Sequence, residues 1–427
     1  MSRSLILIVA HDYPPIYSPG TERIIKFAQY LPEFGFQPLI LTTNRYGGET
    51  SDRQQRVYRA SDWVHILFGP LRRHKIRGIE LDAQFQVATL PNQSLLGRLR
   101  DHIMIPDTKL GWCWPAARLG HQLIQQYQPA LIFSSSPPET AHLIARRLSA
   151  VSHLPWVADL RDGWLFEPPN PRLRRAFMRQ KLEGRLERQV VMNASALTMA
   201  TSPIAEDLCQ RYPQVAHKVT TITNGYDRAE FLGLSRQRPP DGHFLLTHTG
   251  ALASSREGTS VGPFLAAVAK LAQQNPDTPL RVQFIGSIKP EEQAMIRTLG
   301  LENIVSLLPP VSHRAAYQFQ LDADALLLIT ALGQRSVATL KLFDYIGAGL
   351  PILALAQDNV AANIVNQYGL GVAVAPDDPD AIARALDDLI TQQQAGKSWP
   401  GFAIAQRRFE RRDLTGQLAQ VFESILH

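Results

Sequence analysis

"SVATLKLFDYIGAGLPILAL", residues 336–355, reads as a loop, a helix over 339–348, a glycine turn and a buried strand over 351–355. The free amide groups and the dipole at a helix N-terminus attract anions, phosphate above all. Thr339, Leu340 and Lys341 form that first turn, and Lys341 adds a full positive charge. Asp344 stands one turn further on, where a carboxylate can accept hydroxyl groups of a sugar or ribose. Gly347 and Gly349 permit close packing and the turn into the strand. An acid near a helix start stabilises it by about 0.3–1 kcal/mol. That accounts for Asp344 alone. It does not account for a loop, a lysine, an acid and two glycines gathered at the end of one strand.

Working outward, apolar runs alternate with amphipathic stretches along most of the chain. Strands are predicted at 5–10, 37–43, 130–136, 155–160 and 196–201, with helices at 21–35, 139–150 and 175–193. Thr21 is the expected N-cap of the first helix and Gly35 its stop. A polar stretch rich in Gly and Pro interrupts the pattern at 226–243. It then resumes with strands at 244–250, 281–286, 304–310, 325–330, 351–355 and 371–376, alternating with helices. Strands separated by helices imply a parallel sheet covered on both faces. The expected organisation is α/β: a Rossmann-like unit over 1–225, a linker over 226–243, a second Rossmann-like unit over 244–404, and a C-terminal helix in 405–427 that crosses back to the first. Ligands of such sheets bind at the carboxyl ends of the strands, so two units facing each other would hold one in the cleft between them.

The chain has 427 residues, 45% hydrophobic and 19% charged, which suits a soluble protein of two domains. No run of about 18 apolar residues is present, so no segment is expected to span a bilayer. The opening "MSRSLILIVAHDYPP" lacks a small-residue cleavage site and reads as a first strand, not a signal peptide. Two distant cysteines, Cys113 and Cys209, fit a reducing cytoplasm and match no metal spacing. Charge is uneven. Of 44 Lys+Arg and 38 Asp+Glu, 25 and 16 fall in residues 1–200, leaving 19 and 22 for the rest. The basic half suits an anionic substrate, an anionic membrane or simple solvation. No nucleic-acid motif accompanies it, so no nucleic-acid partner is expected. "RLRRAFMRQKLEGRLERQ" (172–189) reads either as a charged surface helix or as a contact with anionic lipid at the inner face of the membrane.

Three further stretches stand at strand ends. "HDYPPIYSPGTERI" (11–24) contains His11 and leads through Gly20 into a helix, without the GxGxxG pattern of a dinucleotide site. "VADLRDGW" (157–164) sets Asp159, Arg161, Asp162 and Trp164 after a buried strand, either as a site or as an Arg–Asp pair that ties the loop. "HTGALASSREG" (248–258) offers Gly250 for close approach and Arg256 as a fork for phosphate, or as a surface arginine. "DADAL" (322–326) has the look of an Asp-x-Asp metal motif but reads as a helix end and strand start.

"KLFDYIGAGLPIL" resembles the K-L-F-E-Y-x-A-x-G-x-P-I signature of family 4 retaining glycosyltransferases, which have the GT-B fold. "ILIVAHDYPPIYSPGTERIIKFAQYL", "SSSPPETAHLIA", "PWVADLRDGW", "KVTTITNGYD" and "LTHTGALASSREG" resemble further blocks of one bacterial branch associated with surface polysaccharide, in order, over nearly the whole chain. The resemblance implies two Rossmann-like domains, a nucleotide-diphosphate sugar held by the second and a lipid-linked or glycan acceptor held by the first. It implies retention of anomeric configuration, no metal and no cofactor. By motif, Gly20 falls near the diphosphate and acceptor, Arg256 at the basic diphosphate ligand, and Asp344 at the second acid of a Glu-x7-Glu motif that contacts ribose. Arg256, Lys341 and Asp344 are therefore the expected catalytic residues, with Gly250, Thr339 and Leu340 beside them. His11, Asp159, Arg161, Asp162 and Trp164 are the acceptor-side candidates.

The sequence departs from that pattern twice. Ser336 stands where the first acid would be, and Asp344 is one methylene shorter than glutamate. His142 lies along a helix and is read as a surface or packing residue, not as part of a site. Two other functions stay open: a nucleotide-sugar-binding subunit without turnover, and an epimerase of the same architecture.

Overall fold

The computed structural model describes residues 4–16, 19–45, 51–52, 56–63, 103–167, 177–238, 241–252, 260–276 and 278–426. These divide into two compact units: residues 1–223 with 414–427, and residues 224–413. Among the described residues no helix is long and apolar enough to cross a membrane.

The first unit is built on an eight-stranded sheet. Its strands are β1 (Ser4–Val9), β2 (Phe36–Thr43), β3 (Ser51–Asp52), β4 (Val57–Ala60), β5 (Leu131–Ser136), β6 (Trp156–Leu160), β7 (Ala196–Met199) and β8 (Val219–Thr221). They lie in the order β3-β4-β2-β1-β5-β6-β7-β8, and only the β3–β4 pair is antiparallel. Alternate residues serve opposite faces, and both faces are buried, as a parallel sheet requires. Leu7, Val9, Leu39 and Leu41 face helices α2 (Leu110–Tyr127), α3 (Thr140–Ser152), α4 (Phe177–Asn193) and α5 (Ser202–Arg211). Ile6, Ile8, Ile40 and Phe133 face α1 (Pro19–Tyr30) and the C-terminal segment. There Phe422 packs edge-on against Phe36 and Phe133, with ring centroids 5.5 and 5.6 Å away.

The second unit has six parallel strands: β9 (Phe244–Thr249), β10 (Leu280–Ile285), β11 (Val305–Leu308), β12 (Ala325–Ile329), β13 (Ile352–Leu355) and β14 (Gly371–Val374), in the order β11-β10-β9-β12-β13-β14. Helices α6 (Gly262–Gln274), α7 (Pro290–Thr298) and α11 (Pro379–Gln394) cover one face. Helices α9 (Leu340–Ala348), α10 (Val360–Gln367) and α12 (Gly401–Arg408) cover the other, while α8 (His313–Leu321) packs beside β9 and α9. The last helix, α13 (Arg411–Leu426), supplies Leu414, Leu418 and Phe422 to the first unit's core.

Two local expectations are corrected. Helix α1 starts at Pro19, so Thr21 lies inside its first turn and is buried, not capping it. Proline at the first helical position has a preset φ and no amide to leave unpaired, so it takes the start. Helix α2 has no counterpart among the expected elements. Gly35 does end the first helical segment, with φ +84° after a 3-10 turn at Leu31–Phe34.

A buried ion pair fastens the first sheet. Asp159 on β6 is fully buried and receives Arg23 Nη2 at 2.8 Å and Nε at 3.1 Å, with Ser135 Oγ and Thr198 Oγ1 each at 2.7 Å. Arg23 also donates to the carbonyls of Ile222 and Thr223 at 2.8 Å. Burial raises the carboxyl pKa, but Arg23 and the hydroxyl donors outweigh it and hold it below its usual range. Arg23→Met, which leaves that carboxylate unpaired, is expected to lower stability by about 3–5 kcal/mol in urea unfolding. Adding Asp159→Leu should recover most of the loss, and a single variant as stable as wild type would contradict the role given to the pair.

Candidate functional site

In the second unit, β9 and β12 are neighbours, and α9 follows β12. Thr339 is the N-cap of α9, with extended backbone (φ −69°, ψ 156°). Its side chain makes no cap bond, and its buried Oγ1 has no hydrogen-bond partner. Lys341, in the first turn, reaches to the end of β9. Its Nζ donates to the Ala251 carbonyl at 2.8 Å and contacts His248 Nε2 at 3.0 Å. His248 is fully buried and its Nδ1 lies 2.8 Å from the Leu327 carbonyl on β12. A carbonyl only accepts, so Nδ1 carries the proton and Nε2 presents its lone pair to the ammonium. Burial, then Lys341, push the His248 pKa well below its ordinary value and keep the ring neutral. Burial likewise lowers Lys341 to about 8, with Asp344 opposing the shift.

Two other groups brace this corner. The Tyr345 hydroxyl donates to the same Leu327 carbonyl and accepts from the Thr249 amide, both at 3.2 Å. Gln320 Nε2 donates to Thr249 Oγ1 at 2.9 Å. Gly250 adopts φ +87°, and a Cβ there would lie 2.9 Å from Lys341 Cε. Glycine is needed for both reasons. Behind α9, a Cβ on Gly347 would strike the rings of Tyr226 and Phe231, and Gly349 caps the helix with φ +72°. Gly250, Thr339, Leu340, Lys341 and Asp344 thus belong to one corner of the unit. Arg256 lies outside the described residues.

The first unit gathers a second set of charges at its strand ends. His11 follows β1 and is buried, its Nδ1 2.6 Å from Asp12 Oδ1 and its ring edge-on to Trp112 at 5.2 Å. Burial raises the Asp12 pKa, but His11, Lys109 and Arg161 outweigh it and bring it to about 2. Arg161 donates through Nε to the Ser136 carbonyl at 2.9 Å and through Nη2 to the Pro137 carbonyl. A Cβ on Gly20 would overlap its guanidinium, so Gly20 is what admits the arginine to this place. Asp162 interacts electrostatically with Arg161. Gly20, Arg161 and Asp162 therefore meet, and Asp12 links His11 to them. Asp159 sits behind them with its oxygens occupied, and Trp164 is buried in the core. The Arg–Asp pair exists, but Arg23 is its arginine. His142 is packing: it is fully buried, its Nδ1 is 2.8 Å from Ser134 Oγ, and burial lowers it to about 3. Asp322 and Asp324 do mark a helix end and strand start; Asp324 binds Arg236 and Arg238, each at 2.7 Å.

Sequence reasoning missed His248, Tyr345 and Gln320, which hold the lysine corner. His248 carries no local signal of its role, because its partner Leu327 is far away in sequence.

Residues 243–392 match the family described as Glycosyl transferases group 1. That match lies within the second unit. No curated protein matches the chain. Solved structures match over its full length. Alr3699/HepE of Anabaena in complex with UDP has TM-score 0.62 at 15% identity, covering 99% of this chain and 100% of that one. Sucrose-phosphate synthase of Thermosynechococcus elongatus has TM-score 0.65 at 11% identity, covering 99% of each. A Listeria monocytogenes protein described as a UDP-N-acetylglucosamine 2-epimerase has TM-score 0.56 at 12% identity, covering 99% of this chain and 96% of that one. The chain has the α/β two-domain GT-B fold.

The lowered Lys341 pKa carries a sign. Between about 8 and the unperturbed 10.5 the unfolded chain binds the extra proton, so this group makes stability rise with pH there. Lys341→Met should remove that rise and, at pH 7, stabilise the protein by about 1–2 kcal/mol once the lost hydrogen bonds are set against the relieved burial. Urea unfolding at pH 7 and 10 compares the two chains; a variant less stable than wild type at pH 7 would count against a desolvated ammonium.

Proposed function

We propose that the chain is a retaining glycosyltransferase. It moves a sugar from a nucleotide-diphosphate donor to a hydroxyl of a lipid-linked or polysaccharide acceptor, at the cytoplasmic side of the membrane and without a metal ion. The observation that carries this reading is the half-buried ammonium of Lys341 in the first turn of α9. Two of its three N–H groups are spent on Ala251 and His248. The third, with the unused Thr339 hydroxyl, suits an anion. The group 1 match over the same residues supports a nucleotide sugar as that anion.

The donor's bond to its sugar breaks with negative charge building on the diphosphate. Helix amides, Lys341 and Arg256 then stabilise the transition state more than the ground state. Asp344 holds the donor ribose. No covalent nucleophile is assigned. The acceptor hydroxyl attacks from the face the diphosphate leaves, and the diphosphate takes its proton. His11, Arg161 and Asp162 stand on the acceptor side, positioned by Gly20 and by the Asp159 network. HepE is described with UDP and UDP-glucose, which makes UDP the first nucleotide to try.

Ser336 at the place of an expected acid, and likeness to an epimerase, favour a second reading as a binding subunit or an epimerase. Sugar altered and released without acceptor would identify the epimerase. Binding without turnover across a donor and acceptor panel would identify the subunit.

Nucleoside diphosphates should raise the melting temperature, UDP being tried first. Affinity should be flat below about pH 7 and fall above about pH 8 as Lys341 loses its proton. Lys341→Ala and Arg256→Ala should each lower kcat/KM for donor about 100- to 1,000-fold, and Asp344→Asn should cost less. Chelator should leave the rate unchanged. Unaltered donor kinetics in both cation variants would refute the phosphate site.

A further inference from the structure

We propose that the outer face of α4, together with the start of α2, seats the protein on an anionic lipid bilayer. Helix α4 sorts its residues by charge. Its two acids, Glu183 and Glu187, are fully buried. Arg179 Nε donates to Glu183 at 2.7 Å, and Glu187 accepts from the Tyr212 hydroxyl at 3.0 Å and Arg211 Nη2 at 3.1 Å. The opposite side carries Phe177, Met178, Lys181, Leu182, Arg185 and Arg188, all exposed. At 3.6 residues per turn these six fall within an arc of about 140°.

The apolar members are what a merely solvated helix lacks a reason for. Phe177 is 73% exposed and Met178 66%. Arg179 Nη2 also donates to the Pro106 carbonyl at 2.9 Å, so the start of α4 lies beside the chain leading into α2. That neighbouring segment exposes Ile103, Leu110 and Trp114, the last at 58%, with Arg118 one turn further on. Two adjoining elements thus show bulky apolar side chains set among cations. Phe, Trp and Leu enter the headgroup boundary of a bilayer while Lys and Arg meet lipid phosphates. An acidic protein would satisfy the cations, but apolar groups spaced singly among them match a fluid headgroup layer better than a shaped pocket.

The inference deepens the acceptor class proposed above and rests on that reading only for its purpose, because lipid binding is measured without donor or acceptor. The test is flotation of the full chain with phosphatidylcholine vesicles, with or without about 30% phosphatidylglycerol, in about 50 mM and about 500 mM salt. The expected result is flotation with the anionic vesicles at low salt, weakened at high salt, and none with phosphatidylcholine alone. Combined Lys181→Glu, Arg185→Glu and Arg188→Glu should lower partitioning at least about a hundredfold. Combined Phe177→Ser, Met178→Ser and Leu182→Ser should lower it about tenfold or more and leave a salt-sensitive remainder. All these positions are exposed, so both variants should melt like wild type, and the shift on adding UDP reads the donor site separately. Absence of wild-type flotation at low salt, equal flotation with neutral vesicles, or full flotation of both variants would overturn the proposal, as would an acidic protein binding this face in place of lipid.

Discussion

Drawing the Lys341 ammonium partly out of water is the costly step around which the corner of the second unit is arranged. Burial drives its pKa down to about 8, and Asp344 only partly opposes this. The neutral tautomer of His248 is fixed by the Leu327 carbonyl, so moving its proton from Nδ1 to Nε2 would lose that bond and turn an N–H toward Lys341. Tyr345 ties the same carbonyl to the Thr249 amide, and Gly250 leaves room for the lysine stem. A residue kept only for packing would serve better as methionine, because a desolvated charge is weak evidence of stability. An ammonium with an N–H to spare, on a helix whose N-cap hydroxyl is unused, is instead suited to a ligand that brings negative charge of its own.

The first unit buries a charge for the opposite purpose. Asp159 is as deeply placed as any group in the chain, yet two nitrogens of Arg23 and two hydroxyls occupy its oxygens. Such a carboxylate joins β6 to β5, β7 and α1, and through Arg23 to the chain at Ile222 and Thr223. Burial therefore does not separate a site from a scaffold. What separates them is hydrogen-bonding capacity: spent at Asp159, partly open at Lys341 and Thr339.

The alternation of strand and helix was legible because the central strands are short apolar runs buried on both faces, and most intervening helices show a clear period. The corner at 336–355 was legible for the same reason: helix, turn and strand lie in one local stretch. Helix α2 was not. It holds Gly111, Pro115 and Gly120, which read as loop, and Pro115 lies in its interior. Trp112, Ala116 and Leu123 bury against the sheet and override that local preference. Partnerships across long sequence separations stayed hidden too. Arg23 meets Asp159 over 136 residues, and Lys341 meets His248 over 93. Pattern reading placed Asp159 and Arg161 together at a strand end, but nothing local tells which arginine takes the carboxylate.

The positive surplus of residues 1–200 acquires its meaning from that pairing. A buried ion pair is neutral, so every such pair leaves the net charge of the unit to be carried by its surface. Arg23 with Asp159 and Arg179 with Glu183 each remove one charge of either sign from solvent. Glu187 goes further, because it is buried while its partner Arg211 stays partly exposed. The device that stabilises the interior of α4 thus strips its outer side of acids and leaves Lys181, Arg185 and Arg188 unopposed on that helix. Their field is short-ranged in physiological salt, about 8 Å, so it acts on a surface that comes into contact and little beyond it. Apolar groups set among those cations extend the attraction across the contact itself, where screening has no hold.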